Sequence, residues 1–288
     1  MAPGRHFGDR PIAAHNSSSL VVFTDLDGTL LDHDTYDWSP AATSLETLKR
    51  RDIPVILISS KTLAELREYR SALALPYPVV AENGAAVDVP EGALAVTWQG
   101  HGITREHLKR ALTELRGELK VQCCAFFELG VDGIVAATGL SPEQAALANT
   151  RDASEPLLWQ DTPEALIAFT DAAGERGLRC VRGGRFVHLM APTDKSQAMA
   201  QLVSAYSTLR GSDVTSLALG DSANDLGMLK AADIAVVIPG QGTGASDMIA
   251  ALDGHPHLVR ARLPGPSGWH DAVQSILNQM DTEIVNVG

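Results

Sequence analysis

Cysteine is scarce in this chain, with only Cys123, Cys124 and Cys180 among 288 residues. An odd number without metal-type spacing argues against a disulfide framework and a zinc site, and points to a reducing cytoplasm. Long apolar runs are missing too: no window reaches the roughly 18–20 continuous apolar residues that a membrane helix needs. No cluster of Lys and Arg falls on a readable helix face. The 23 basic residues are outnumbered by 35 acidic ones, for a net charge of -12, which argues against nucleic acid as the main partner. The first residues carry Pro, Gly, His and a Ser17-Ser18-Ser19 run but not the roughly 7–15-residue apolar core of a secretory signal. Residues 1–18 are therefore expected to be a flexible extension. Internal repeats and low-complexity tracts are absent as well. What remains is an ordinary globular composition, 45% hydrophobic and 20% charged. Its length suits two domains, or one large domain with an insertion.

The pattern along the chain favours the insertion. Leu20–Asp25, Ile53–Ile58 and Pro78–Ala81 read as short strands, apolar on both faces. Helices between them are signalled by Ser39-Pro40 and by Thr62 with Glu65 three residues on, a capping box. Such alternation predicts a parallel sheet covered on both sides. After Gly84 the rhythm changes. Ala86–Val89 and Ala95–Trp98 suggest a hairpin, Thr104 onward a helix, and Ser141-Pro142 and Thr162-Pro163 two more helix starts. Strand-like pieces lie at Cys123–Phe127, Leu157–Gln160 and Leu178–Val181. From Phe186 the alternation resumes, with a helix after Asp194, strands Val214–Leu219 and Ile234–Ile238, and a last helix after Pro266. The expectation is a core of residues 19–85 and 186–288 interrupted by an α+β cap of residues 86–185. A ligand site is expected where the two face each other, at the carboxyl ends of the core strands.

Four groups of residues carry chemistry there. Asp25-Leu26-Asp27-Gly28-Thr29 leaves the first strand with two carboxylates at i and i+2, which can converge on one small volume. A calcium-binding EF-hand loop fails on spacing, with Gly at the fourth place rather than the sixth and Tyr36 at the twelfth. Gly220-Asp221-Ser222-Ala223-Asn224-Asp225 again sets acids where a strand stops and a helix begins. A helix cap needs one acid and not two, so the pair suits an oxygen-ligated Mg2+. Ser59-Ser60-Lys61-Thr62 follows the second strand, where hydroxyls and free N–H groups of a helix start can cradle phosphate. Asp194-Lys195 puts a cation at a helix start, against the helix dipole, so the lysine needs another reason to be there.

Taken together, these motifs resemble the haloacid dehalogenase superfamily of phosphotransferases, with its D-x-D-G-T, Ser/Thr, Lys and G-D-x-x-N-D signatures, over Leu20–Gly84 and Arg185–Pro239. The resemblance implies an α/β fold with a Rossmann-like parallel sheet core and an inserted cap. It implies Asp25 as nucleophile, Asp27 as general acid and base, Ser59 holding the phosphoryl oxygens with Ser60 one residue off, and Lys195 as the catalytic cation. Mg2+ would be held by Asp25, the carbonyl of Asp27 and Asp221, with Asp225 close behind. An intact set of acids argues against a catalytically dead sensor.

The position of the insertion resembles the Cof-like branch, which acts mainly on sugar phosphates. Within that branch further strings are similar to mannosyl-3-phosphoglycerate phosphatases: Asp34-Thr35-Tyr36-Asp37-Trp38, Ser59–Thr62, Glu82-Asn83-Gly84-Ala85, Arg151-Asp152-Ala153-Ser154-Glu155-Pro156 and Gly183-Gly184-Arg185-Phe186. Asp152 departs from the Glu of that family's string. This resemblance implies release of phosphate from a mannose joined to 3-phosphoglycerate, giving the solute mannosylglycerate. Arg151 and Arg185 would pair with the carboxylate, Ser154 and Glu155 with sugar hydroxyls, and Ser60, Lys61 and Asn224 would line the substrate site. The rivals are another sugar phosphatase of the branch, of sucrose-phosphate or hexose-phosphate type, and a phosphomutase.

Overall fold

The computed structural model describes residues 19–96, 98, 102–182, 186–240 and 244–287. Two stretches of chain build the larger sheet. The first supplies β1 (Leu20–Thr24), β2 (Val55–Ile58), β3 (Val79–Ala81) and β4 (Ala86–Asp88). A second, smaller sheet intervenes, made of β5 (Cys123–Ala125), β6 (Ser154–Trp159), β7 (Arg179–Arg182) and β8 (Val187–Met190). The chain then returns with β9 (Thr215–Gly220), β10 (Ile234–Val237) and β11 (Leu258–Arg260). The larger sheet has the order β11-β10-β9-β1-β2-β3-β4. All its pairings are parallel except β3 with β4. Strand order reverses at β1, with β2 on one side and β9 on the other, and this reversal opens a crevice at the carboxyl ends.

The apolar runs of the strands split between two layers because successive side chains point to opposite faces. Leu20 and Val22 pack with α1 (Ala42–Arg50), α2 (Leu63–Ala72) and, through Trp269 and Ile276, with the C-terminal helix Gly265–Val287. Val21 and Phe23 pack on the other side against Met199 and Leu202 of the helix Lys195–Arg210 and Met228 of Leu226–Ala231. Trp269 is fully buried and donates from Nε1 to Thr24 Oγ1 at 3.0 Å. That bond fixes the end of the strand that leads into Asp25.

The capping box read from the sequence forms: Glu65 N–H donates to Thr62 Oγ1 at 3.2 Å and Thr62 N–H to Glu65 Oε2 at 2.8 Å. Ser39-Pro40 makes a 3-10 turn instead of the helix start, and α1 begins at Ala42. Ser39 Oγ is drawn back to Asp37, at 2.6 Å, and so does not cap.

The cap sheet has the order β5-β6-β8-β7 and is antiparallel throughout. Helices α3 (Arg105–Leu119) and Pro163–Glu175 cover one face, burying Leu108, Leu112, Phe169 and Leu189. Phe126–Thr138 and Pro142–Ala148 form a smaller cluster around Phe126, Ile134 and Ala145, with Phe186 packed against it.

Both expected domain boundaries move. Val187–Met190 pairs with β6 and β7, so the cap reaches Met190 rather than ending at Arg185. Its residues are buried on both faces, a pattern that does not say which sheet they join. Ala86–Asp88 is not the arm of a cap hairpin but pairs with β3 as an edge of the core sheet. Of the expected second arm, Ala95, Val96 and Trp98 are not strand, and Thr97 lies outside the described residues. The expected strand from Cys123 stops at Ala125, where Phe126 opens a helix.

The joint between core and cap is built on unusual backbone. Glu82 (φ 51°) and Asn83 (φ 56°) both hold left-handed conformations, which carry a cost for residues with a Cβ. Gly84 follows at φ 100°, and a Cβ there would run into the carbonyl of Asp194. The turn is held from the cap side. The buried Glu82 carboxylate accepts from Asp152 N–H at 2.8 Å, Ala153 N–H at 3.1 Å and Ser154 Oγ at 2.6 Å.

Candidate active site

Asp25 is the first residue after β1, and its N–H donates to the Leu219 carbonyl at 3.0 Å, as if the strand ran one step further. The chain then turns sharply. Gly28 sits at φ 81°, and a Cβ there would come within 2.5 Å of Asp221 Oδ2, so only glycine lets the two acidic loops approach. Asp221 stands at the end of the neighbouring β9. Asp25, Asp221 and Asp225 each offer a carboxylate oxygen within 4.8 Å of the others.

Lys195 explains why a lysine opens a helix. It is fully buried, and Nζ lies 2.5 Å from Asp25 Oδ1 and 2.6 Å from Asp225 Oδ1. Asp194 caps the same helix through Ser196 N–H at 2.9 Å and Gln197 N–H at 3.1 Å, which fixes the stem from which Lys195 reaches in. Asp225 is an organiser: its other oxygen accepts from Asp221 N–H at 3.1 Å and Ser222 N–H at 3.0 Å. Asp221 has a lighter hold, one bond from Thr29 Oγ1 at 3.3 Å.

The acids outnumber the cation. Burial pushes the Asp25 carboxyl up to about 7, against the pull of Lys195 and with a further push from Asp225. Burial likewise raises Asp221 to about 8, with Asp25 and Asp225 adding to it. Burial opposes the Lys195 charge, but Asp225 and Asp25 outweigh it, so the lysine is held protonated above its usual range. This is a cluster in want of another positive charge. Three carboxylates without sulfur or imidazole among them suit a hard, oxygen-seeking divalent cation, and the glycine at position 28 lets Asp221 come close enough to join them. Asp25, Asp221 and Asp225 can therefore hold a metal ion.

The direction of these shifts gives the stability of the site a pH dependence of definite sign. The native acids hold protons that the unfolded chain has released above its ordinary carboxylate pKa of 3.8. Stability of the metal-free protein should thus fall as pH rises from about 4 to about 8, by up to about 1.4 kcal/mol per pH unit for each extra proton held. A divalent cation needs the ionised acids, so its stabilisation should grow over the same interval. Thermal melts with chelator and with Mg2+ at pH 5 and pH 8 check this. A Mg2+ shift that shrank toward pH 8 would contradict it.

Asp27 lies across the opening. Its Oδ2 is 3.0 Å from Lys61 Nζ, while Oδ1 is buried without a hydrogen-bond partner. Lys61 is itself seated over the rings of Tyr36 and Tyr69, at 5.1 and 5.7 Å, and lies 3.8 Å from Glu65 Oε1. Burial opposes its charge, but Asp27 and Glu65 hold it well protonated. Ser60 and Lys61 both line a cavity between core and cap. Ser59 is buried beside it, its Oγ accepting from Lys61 N–H at 3.3 Å. Asn224 also lines the cavity, donating from Nδ2 to Asn83 Oδ1 at 3.2 Å.

The cap residues singled out by sequence divide. Arg151 lines the cavity, with Nη1 donating to the Ser60 carbonyl at 3.1 Å and to Ser154 Oγ at 2.9 Å. Ser154 and Glu155, expected to meet sugar hydroxyls, do not line it, and both are fully buried. Ser154 serves the Glu82 joint described above, and Glu155 Oε2 is paired with Arg105 Nε at 2.7 Å. Successive strand side chains alternate in direction, yet both find protein partners, so this string is a structural brace. Arg185 lies outside the described residues. The fold also brings to the cavity His33, Phe126 and His188, which the sequence motifs do not include, and Phe186 of the Gly183–Phe186 string. Phe126 falls within the expected strand Cys123–Phe127, and His188 sits in a strand with only apolar neighbours on either side.

The family model described as haloacid dehalogenase-like hydrolase matches residues 22–149. Among solved structures, SMU.1108c from Streptococcus mutans UA159 is similar, at 22% identity and a TM-score of 0.65, covering 90% of this chain and 98% of its own. BT1666 from Bacteroides thetaiotaomicron, from among the phosphatases of the haloalkanoate enzyme superfamily, shares 19% identity with a TM-score of 0.62, covering 93% and 98%. The subclass IIB sugar phosphatase BT4131 shares 18% identity with a TM-score of 0.62, covering 90% and 98%. The fold is thus haloacid dehalogenase-like, and the matched segment carries the acid pair, Ser59, Ser60 and Lys61. Among the described residues no helix is long and apolar enough to cross a membrane.

Proposed function

We propose that the chain is a Mg2+-dependent phosphatase that hydrolyses mannosyl-3-phosphoglycerate to mannosylglycerate and phosphate. The observation that carries the reaction class is the convergence of Asp25, Asp27, Lys195, Asp221 and Asp225 at the base of a cavity lined by core and cap residues. When bound, Mg2+ supplies positive charge beside Asp25 and steadies the charge on the phosphoryl oxygens. Asp25 attacks phosphorus, and the ester oxygen departs with a proton given by Asp27, leaving an aspartyl-phosphate. Asp27 then takes a proton from water, whose oxygen attacks the same phosphorus; the bond from phosphorus to Asp25 breaks, which releases phosphate and restores the carboxylate. Lys195 holds Asp25 in place and balances the equatorial charge. A hydroxyl of the Ser59-Ser60 pair holds phosphoryl oxygens from the far side.

The substrate reading rests on the strings of residues 34–38, 59–62 and 82–85 and on two cations at the cavity, Arg151 and Lys61, which suit a leaving group that bears a carboxylate. A second reading, a sugar phosphatase of hexose-phosphate type, is favoured by one observation: Ser154 and Glu155 are committed to Glu82 and Arg105 instead of the cavity. Phosphate release measured across mannosyl-3-phosphoglycerate, glucosyl-3-phosphoglycerate and hexose 6-phosphates, with and without Mg2+, separates them. The expected result is Mg2+-dependent release with the largest kcat/KM on the glycerate-linked ester. Faster turnover of hexose 6-phosphates would give preference to the second reading, and no release from any ester would refute both.

A further inference from the structure

His188 is a polar side chain that the chemistry above leaves unused. It occupies the middle of β8, opposite Pro156 of β6 and Val181 of β7, and is 7% exposed. Its ring lines the same cavity as Asp25 and Asp27. Nδ1 is buried and has no hydrogen-bond partner among the described residues. Buried polar atoms are nearly always paired, and one left alone beside a cavity is a place where a ligand completes the pairing. The cavity wall next to it is apolar. Phe126 and Phe186 meet edge to face, with centroids 4.9 Å apart and planes at 86°, and Leu140 and Pro156 adjoin them.

The imidazole is also uncharged. Burial, with Arg151 and Lys195 nearby, drives its pKa down to about 3. A neutral imidazole offers one donor and one acceptor, so it can pair with a hydroxyl group in either role. It is poorly suited to bind an anion, a task for which Arg151 and Lys61 stand at the same cavity. Hydroxyl groups beside an apolar C–H surface describe a sugar or polyol ring, and the wall around His188 offers partners for both.

We propose that His188 and the Phe126–Phe186 wall form the subsite for the hydroxyl-bearing part of the phosphate ester, with His188 the residue that recognises one of its hydroxyls. The inference rests on the phosphatase reading and adds to it the neutral side of substrate selection.

The test compares two phosphate esters on the full-length protein with Mg2+: the best hydroxylated substrate found in the screen, and p-nitrophenyl phosphate, whose organic part carries no hydroxyl. His188→Leu should lose about 10- to 100-fold in kcat/KM on the hydroxylated ester, the loss of one polar contact at a buried site, and lose it mainly in KM. Its loss on p-nitrophenyl phosphate should be at least tenfold smaller. His188→Gln, which keeps a donor and an acceptor, should recover part of the discrimination, and it also serves if the Leu variant does not fold. Equal losses on both esters, or none on either, would overturn the subsite while leaving a working phosphatase. Wild-type protein inert toward every ester would instead overturn the phosphatase reading and the subsite with it.

Discussion

Asp25→Asn is expected to reduce Mg2+-dependent phosphate release by about 10^4-fold or more while leaving the fold intact. The size follows from the role: a covalent step has no substitute when its nucleophile is replaced by a neutral amide. The survival of the fold follows from the charge balance of the site. Burial already raises Asp25 to about 7, so near neutrality the metal-free protein holds this group partly protonated. Asparagine imitates the protonated form in shape and charge, and Lys195 retains its partner Asp225 at 2.6 Å. Unfolding midpoints of the metal-free variant should therefore match or exceed those of the wild type near pH 8. The stabilisation added by Mg2+ should shrink, because one of three convergent carboxylates is gone. A variant that folded normally and released phosphate at near-native rates would show that Asp25 is not the nucleophile. A variant that failed to fold would show that the Asp25–Lys195 contact is structural first.

The part of this site that could be read from sequence is the part where local chain geometry dictates position. Asp25 and Asp27 are two residues apart on one tight turn, and Gly28 marks the turn. Asp221 and Asp225 follow an apolar strand, and parallel strands of one sheet deliver their carboxyl ends to one edge. Lys195 was legible because a cation at a helix start contradicts the dipole and so demands a partner, which proves to be Asp25 and Asp225.

The remainder depends on pairings that a linear pattern does not contain. Ser154 and Glu155 were expected to meet sugar hydroxyls only because the Arg151–Pro156 string resembles that of the mannosyl-3-phosphoglycerate phosphatases. Their partners, Glu82 and Arg105, lie far off in the chain and are known only once core and cap are assembled. Val187–Met190 is apolar enough for either sheet, and only its pairing with Ser154–Leu157 and Arg179–Arg182 assigns it to the cap. His188 follows from the same misassignment. As a core-strand residue it had no reason to be noticed, whereas in the cap sheet it lines the same cavity as Asp25, Asp27 and Asp221.

Lys195→Met should be the most destabilising single change at the site, and its cost should depend on pH. Methionine fills a similar volume without charge, so packing is nearly conserved and the electrostatic loss is isolated. Lys195 is fully buried between Asp25 and Asp225, and removing one partner of a buried charge group typically costs about 3–5 kcal/mol because the other charges are left uncompensated. The dependence on pH follows from proton binding. Lys195 lowers the pKa of both Asp25 and Asp221, so its removal lifts those already raised values further and makes the native state hold its protons to higher pH. The unfolded chain still releases its protons near the ordinary carboxylate value. Stability of the variant must then fall more steeply with rising pH than that of the wild type. Denaturant unfolding of metal-free protein should show a small penalty at pH 5 and one approaching the full figure at pH 8, with Mg2+ restoring part of it. Turnover should fall as well, by about 10^2- to 10^3-fold, the usual consequence of losing one group that balances transition-state charge. A penalty below about 1 kcal/mol, or one equal at the two pH values, would mean that Lys195 does not carry the charge balance of the three acids.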